Sequence, residues 1–340
     1  MSSTNSADKK SILSVKIAGT GWYLPENRVT NADLAAKLGI SADWITRAAG
    51  VQERRYVTTE TTLSMATSAA HMALEAAGLG IEDINAIVFA SSAPQQIIPC
   101  TAAFLQQALH APDGMSACFD LNATCLSFLF ALHTVAHLVA SGAYHTVLLC
   151  SSELASRSLN LAERESTVLF GDAAAAAIIT RNQVDEESML WHAQFETYSS
   201  GAELTQVPGG GTLHHPNDPT TTPEMNMFHM QGPAVFKHVS RLTEPFLARF
   251  FSALGWERSQ IDAIVPHQAS RHGIELLTRR LGFTHEQVVN NLAQRGNCVS
   301  ASIPLAFAEA VHSGRIRRGD RIMLVGSGAG LTLGAVALTF

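Results

Sequence analysis

The chain is 340 residues long, 46% hydrophobic and 15% charged, with a net charge of −6. These values exclude a disordered chain and argue against a general nucleic-acid binder. The length allows one large domain or two packed halves around a substantial core.

Residues 1–11 read as a flexible polar tail without the apolar core of a signal peptide. "SVKIAGTGWYLP" is a strand running into a Gly/Pro turn. "TTLSMATSAAHMALEAAGLG" has helical apolar spacing and stops at glycine. "INAIVFASS" suits a buried parallel strand, as does "HTVLLCSSE". Between them, "SFLFALHTVAHLVASGAY" is apolar nearly all round, which predicts a helix buried on every side. No stretch reaches the roughly 18 apolar residues needed to span a bilayer. The five cysteines (Cys100, Cys118, Cys125, Cys150 and Cys298) form no CxxC pair. Reduced thiols and a cytoplasmic protein without membrane contact are therefore expected.

The order of segments repeats. "INAIVFASS" from Ile84 is echoed by "IDAIVPHQAS" from Ile261, and "GAYHTVLLCSS" from Gly142 by "GDRIMLVGSG" from Gly319. Both echoes have an offset of 177, which favours duplication into two α/β halves. The boundary falls near "ITRNQVDEES", giving halves of 12–182 and 183–340. Two such halves leave a crevice where their strand ends meet.

Three polar residues fall at that crevice. Cys125, in "LNATCLSFLF", precedes the apolar helix, where a helix N-terminus lowers a thiol pKa. From this stretch alone an inert core cysteine is the favoured reading. His267 ends the echoed strand in "IVPHQAS". Asn297, in "RGNCVSASIPLA", precedes a second apolar helix, as a cap or as part of a site. "GSGAGLTLGA" lacks the GxGxxG spacing, but its backbone N–H groups suit an oxyanion hole. "GTG" at 19–21 is no dinucleotide motif either, and there is no Walker motif. His133 and His137 are four apart without an accompanying Glu, so core packing is favoured and no metal is expected.

In this order, "FDLNATCLSF", "IVPHQAS" and "RGNCVSASIPLA" resemble the 3-oxoacyl-[acyl carrier protein] synthase III family of the thiolase superfamily. "LFGDAAAAAII", "GSGAGLTLGA" and the N-terminal "GTGWYLPENRVTN" support the resemblance, which runs from about residue 12 to the end. It implies a thiolase-like duplicated five-layer αβαβα fold and a condensing acyltransferase of fatty acid biosynthesis. Cys125 would take an acyl group from a thioester. His267 and Asn297 would then hold the enolate left when a malonyl thioester loses CO₂, and the backbone N–H groups of Cys125 and Ala329 would form the oxyanion hole. The implied partners are acyl carrier protein, acyl-CoA and a second copy of the chain, with no permanently bound cofactor. Trp44 and Arg164 match CoA contacts, and Ile98 matches the far end of an acyl tunnel at a dimer interface.

The chain also departs from the family pattern. The usual arginine before Gly50 is Ala48, with Arg47 one place early. The usual basic residue after "HQAS" is His272, with Arg271 one place early. Ser127 replaces a glycine in the acyl pocket, and Ser327 replaces an aromatic. A starter longer than acetyl, or an unusual one, is the resulting expectation. Acyl transfer to an oxygen or nitrogen nucleophile is the alternative, and an inactive partner subunit is disfavoured by the intact trio.

Overall fold

Nine strands sort into two sheets because most of their runs are apolar on both faces, which only a doubly covered sheet accommodates. The computed structural model describes residues 12–340, apart from the side chains of 279–281; the expected N-terminal tail lies outside the described residues. In chain order the strands are β1 (Val15–Tyr23), β2 (Ala86–Ala90), β3 (Ala117–Leu121), β4 (Thr146–Glu153), β5 (Ala173–Arg181), β6 (Met189–Thr197), β7 (Ala263–Pro266), β8 (Arg321–Gly328) and β9 (Thr332–Thr339). The first sheet has the order β1-β5-β4-β2-β3, the second β7-β8-β9-β6. In each, parallel central strands carry an antiparallel extension: β2 with β4, then β5 and β1; β7 with β8, then β9 and β6. The partner that β3 is to β2 survives in the second sheet only as a parallel bridge between Ile264 and Val288.

Eight helices cover the sheets: α1 (Asn31–Leu38), α2 (Ala42–Ala49), α3 (Thr62–Ala77), α4 (Thr101–Ala108), α5 (Ser127–Ala140), α6 (Gly232–Leu254), α7 (Arg271–Leu281) and α8 (Ser302–His312). Side chains of α5 and α8 share one core with both sheets, including Leu129, Val135, Phe307, Val88, Leu149, Leu324 and Val336. The outer face of the first sheet packs on α3 and α4, and that of the second on α6 and α7. The result is five layers, with α5 and α8 in the middle. Alanines along β5 and α3 let helix and sheet approach closely. A β-carbon on Gly19 or Gly21 of β1 would fall 2.3 Å from a carbonyl of α3.

Helix α5 is buried along most of its length, but His133 is half-buried and Thr134 and His137 face out. The apolar run predicted burial on every side; one polar stripe reaches the surface instead. The ring nitrogens of His133 and His137 lie 3.1 Å apart on it.

Candidate active site

Strand register corrects the echo. Ala86 pairs with Val147 and Ala263 with Ile322, so β8 follows β4 at an offset of 175 while β7 follows β2 at 177. At 175 the turns ahead of α5 and α8 superimpose bond for bond. Ala123 N–H donates to Ser127 Oγ at 2.9 Å, and Cys298 N–H to Ser302 Oγ at 2.9 Å. Thr124 N–H donates to Asn122 Oδ1 and Val299 N–H to Asn297 Oδ1, each at 2.9 Å. Thr124 and Val299 have φ of 54° and 49°, a costly conformation for β-branched residues, and one that strained site turns adopt. Cys125 and Ser300 are thus counterparts, each on a short helical turn before its helix, and so are Asn122 and Asn297.

These turns meet at the ends of β7 and β8. The Cys125 turn packs against both the Val299–Ala301 turn and β8. A β-carbon on Gly326 of β8 would lie 2.7 Å from His267 Cβ and 3.1 Å from Leu126 Cδ2. Glycine there seats the imidazole strand against the cysteine turn. His267 is held by its N–H to the Val325 carbonyl at 2.8 Å. Thr124 Oγ1 donates to the Ala329 carbonyl at 3.3 Å and ties the turn to the loop after β8. Asn297 is fixed from the other half. Its N–H donates to the Leu169 carbonyl at 2.8 Å, and its own carbonyl accepts from Gly171 N–H at 3.0 Å. A β-carbon on Gly171 would sit 2.1 Å from the Arg295 carbonyl, and one on Gly296, at φ 69°, 2.7 Å from the Leu169 carbonyl. The glycines of "FGD" and "RGN" therefore permit a backbone contact that brings Asn297 to the crevice. With Oδ1 occupied by Val299, the Asn297 amide nitrogen is the donor end that remains.

The electrostatics differ from the sequence expectation for the thiol. Burial, with the Glu153 carboxylate adding to it, pushes Cys125 up to about 12, against the backbone N–H groups of Ala329 and Cys125 that act on its sulfur. The helix end does not win, because desolvation of an anion outweighs one turn's dipole. Those two N–H groups both act on the Cys125 sulfur. Burial draws His267 down to about 4, so it is a neutral imidazole at pH 7, and its Nδ1 has no hydrogen-bond partner.

The other singled-out residues spread around this centre. Ser127 is buried, and its hydroxyl is taken up by Ala123 N–H and, as donor, by the Thr124 carbonyl at 2.7 Å. Ser327 is half-buried on β8. Trp44 packs partly against the second-sheet core, and Arg47 is exposed on the last turn of α2. Arg271 lies beside Gly50 at the end of α2 and pairs with Glu275 at 3.1 Å. His272 faces Phe236, ring centroids 6.0 Å apart. Arg164 is exposed on the short helix Arg164–Thr167. Ile98 is 80% exposed on the loop before α4. Among the described residues no three His, Cys, Asp or Glu side chains are placed to hold a metal ion, and no helix is long and apolar enough to cross a membrane.

Sequence reading passed over Glu153, a buried carboxyl at the end of β4 whose charge reaches Cys125. The signal was there: an acidic residue closing an otherwise apolar strand run, "VLLCSSE".

Comparison with known proteins bears on the assembly as a whole. Family models described as 3-oxoacyl-[acyl-carrier-protein] synthase III and its C-terminal part match residues 119–199 and 251–340. The chain is 35% identical over 328 residues to the beta-ketoacyl-[acyl-carrier-protein] synthase III of Desulfitobacterium hafniense strain Y51, covering 96% of this chain and 98% of that one. It is 36% identical over 326 residues to the Neisseria meningitidis serogroup B protein of the same name, covering 96% and 99%. The crystal structure of the synthase III from Aquifex aeolicus VF5 superimposes with a TM-score of 0.86 at 34% identity, covering 96% of this chain and all of that one. A priming beta-ketosynthase of the R1128 polyketide pathway gives 0.88 at 27% identity, covering 96% of each chain. A strained cysteine turn, an imidazole and a carboxamide converging between duplicated halves, with that similarity along nearly the whole length, mean that this chain belongs to the 3-oxoacyl-[acyl-carrier-protein] synthase III family.

Proposed function

We propose that the protein is a condensing acyltransferase that joins an acyl group, held as a thioester on Cys125, to the two-carbon unit of a malonyl thioester. The observation that carries this reading is the seating of the Cys125 turn against the Val299–Ala301 turn and β8, beside His267, with the backbone N–H groups of Cys125 and Ala329 acting on the sulfur. The thiol is protonated at rest, and it gives up its proton as the sulfur attacks the acyl thioester carbonyl. The departing thiolate carries that proton away as a free thiol. A malonyl thioester then enters and loses CO₂. The electrons of the broken C–C bond form an enolate, whose oxygen accepts hydrogen bonds from His267 Nε2–H and the Asn297 amide. The enolate carbon attacks the acyl-Cys125 carbonyl. The tetrahedral oxyanion rests on the two backbone N–H groups, and its collapse expels the Cys125 thiolate, which is reprotonated, and releases a 3-oxoacyl thioester.

Acyl-CoA as donor, acyl carrier protein as carrier of malonyl and product, and a cytoplasmic homodimer complete the proposal. Trp44, Arg47, Arg164 and Arg271 are assigned to CoA or phosphopantetheine, and Ile98, Ser127 and Ser327 to the acyl pocket. The shifted arginines and the two serines favour a starter other than acetyl. The test is intact-mass spectrometry after mixing the protein with a panel of acyl-CoAs, then with malonyl carrier protein. The wild type gains one acyl mass and then forms a 3-oxo product, whereas Cys125→Ala gains none. An acyl mass on Cys125→Ala overturns the assignment. Acyl transfer to oxygen or nitrogen with no C–C product moves the protein to the alternative class.

A further inference from the structure

Glu153 has no part in the chemistry just described, yet it occupies the seam between the halves. The residue is 2% exposed at the end of β4. Three donors converge on its carboxylate: Ser92 N–H at 2.7 Å, Ser92 Oγ at 2.9 Å and Ser300 Oγ at 2.5 Å. Ser92 belongs to the loop after β2, in the half that carries Cys125. Ser300 belongs to the turn that begins at Asn297, and it is the structural counterpart of Cys125. The Ser300 hydroxyl also lies 3.1 Å from the Ala90 carbonyl, but its one hydrogen goes to the shorter contact with the Glu153 carboxylate at 2.5 Å. Burial pushes the Glu153 carboxyl up, and the donors from Ser300 and Ser92 pull it back down, so these filled lone pairs are what favours its charged form.

We infer that Glu153 is a positioning residue for the condensation step: through Ser300 it straps the Asn297 turn to the half bearing Cys125, and so sets where the carboxamide meets the acyl-enzyme. The inference rests on the proposed condensing function. Glu153 acts on Cys125 ahead of α5 and on Cys298 ahead of α8, and Cys298 also senses Asp172, Arg295 and Glu309. Loading an acyl group needs Cys125 and its oxyanion hole but not the Asn297 amide. Losing the strap therefore penalises condensation more than loading.

Three variants test this: Glu153→Gln, Glu153→Asp and Ser300→Ala. For each, acyl loading is timed by intact mass, condensation by 3-oxo product, and Cys125 alkylation by iodoacetamide across pH with peptide mapping. Glu153→Gln and Ser300→Ala are expected to lower condensation at least tenfold relative to loading. Glu153→Gln is also expected to move the alkylation midpoint of Cys125 to lower pH, because a negative charge beside the sulfur is gone. Glu153→Asp keeps that charge, so its midpoint stays, but it falls short of Ser300 and condensation drops. The midpoint reports the charge beside the sulfur, and the condensation-to-loading ratio separates positioning from packing support. An unchanged condensation-to-loading ratio in Glu153→Gln and Ser300→Ala overturns the inference. Should Glu153→Gln fail to fold, the Ser300→Ala ratio decides alone. A wild type that loads no acyl group on Cys125 overturns the proposed function instead.

Discussion

At the scale of single residues, the site is governed by desolvation. His267 is held near 4 in the folded chain against an ordinary value of 6.5, so the unfolded chain binds the extra proton between those limits. Stability must therefore fall as pH drops from about 6.5 to about 4, by about 1.4 kcal/mol per unit and about 3 kcal/mol in all. Urea unfolding at a series of pH values measures it, and His267→Gln should flatten that part of the slope. Asn297→Ala should leave acyl loading near wild type and slow condensation about 10²–10³-fold, the usual effect of losing one oxyanion donor. Equal losses in both steps would contradict the division of labour between cysteine and carboxamide. The positions of Cys125, His267 and Asn297 at the ends of apolar runs are legible in the sequence, whereas their proposed roles come from the family resemblance. The state of the thiol is not legible there. It depends on burial and on Glu153, which is 28 positions away along the chain and reaches the sulfur only through the fold.

Secondary-structure elements show what local pattern can and cannot carry. The strands and helices around the site follow apolar spacing closely, and Gly78 ends α3 in the left-handed conformation expected of a stop signal. The offset between halves was read two residues long at β8, since the glycines that open the echoed segments do not sit at equivalent distances from their strands. Only sheet register reveals the shift, and with it the match of Cys125 to Ser300. Two substitutions probe the turns. Ser127→Ala removes a buried hydroxyl that serves two backbone groups, and is expected to cost about 1–2 kcal/mol in chemical denaturation and to slow loading. Gly326→Ala puts a methyl group against His267 and Leu126. A cost of about 1–3 kcal/mol is expected, with condensation impaired in the fraction that remains folded.

For the whole molecule, the outward loop before α4 is the feature that the proposed homodimer has to explain. Ile97 is 73% exposed beside Ile98, and Met115 and the half-buried strand β3 lie on the same edge of the first sheet. Light scattering is expected to give twice the chain mass, and Ile98→Asp to shift it toward the single chain. A monomeric wild type would remove the partner from the proposed acyl pocket. The matched turns ahead of α5 and α8 divide the work between the halves. Identical hydrogen bonds under dissimilar side chains mark the two turns as copies of one motif, one presenting the cysteine and the other the carboxamide. One copy is the tool, the other the vise that grips it, and neither half has an occupation by itself.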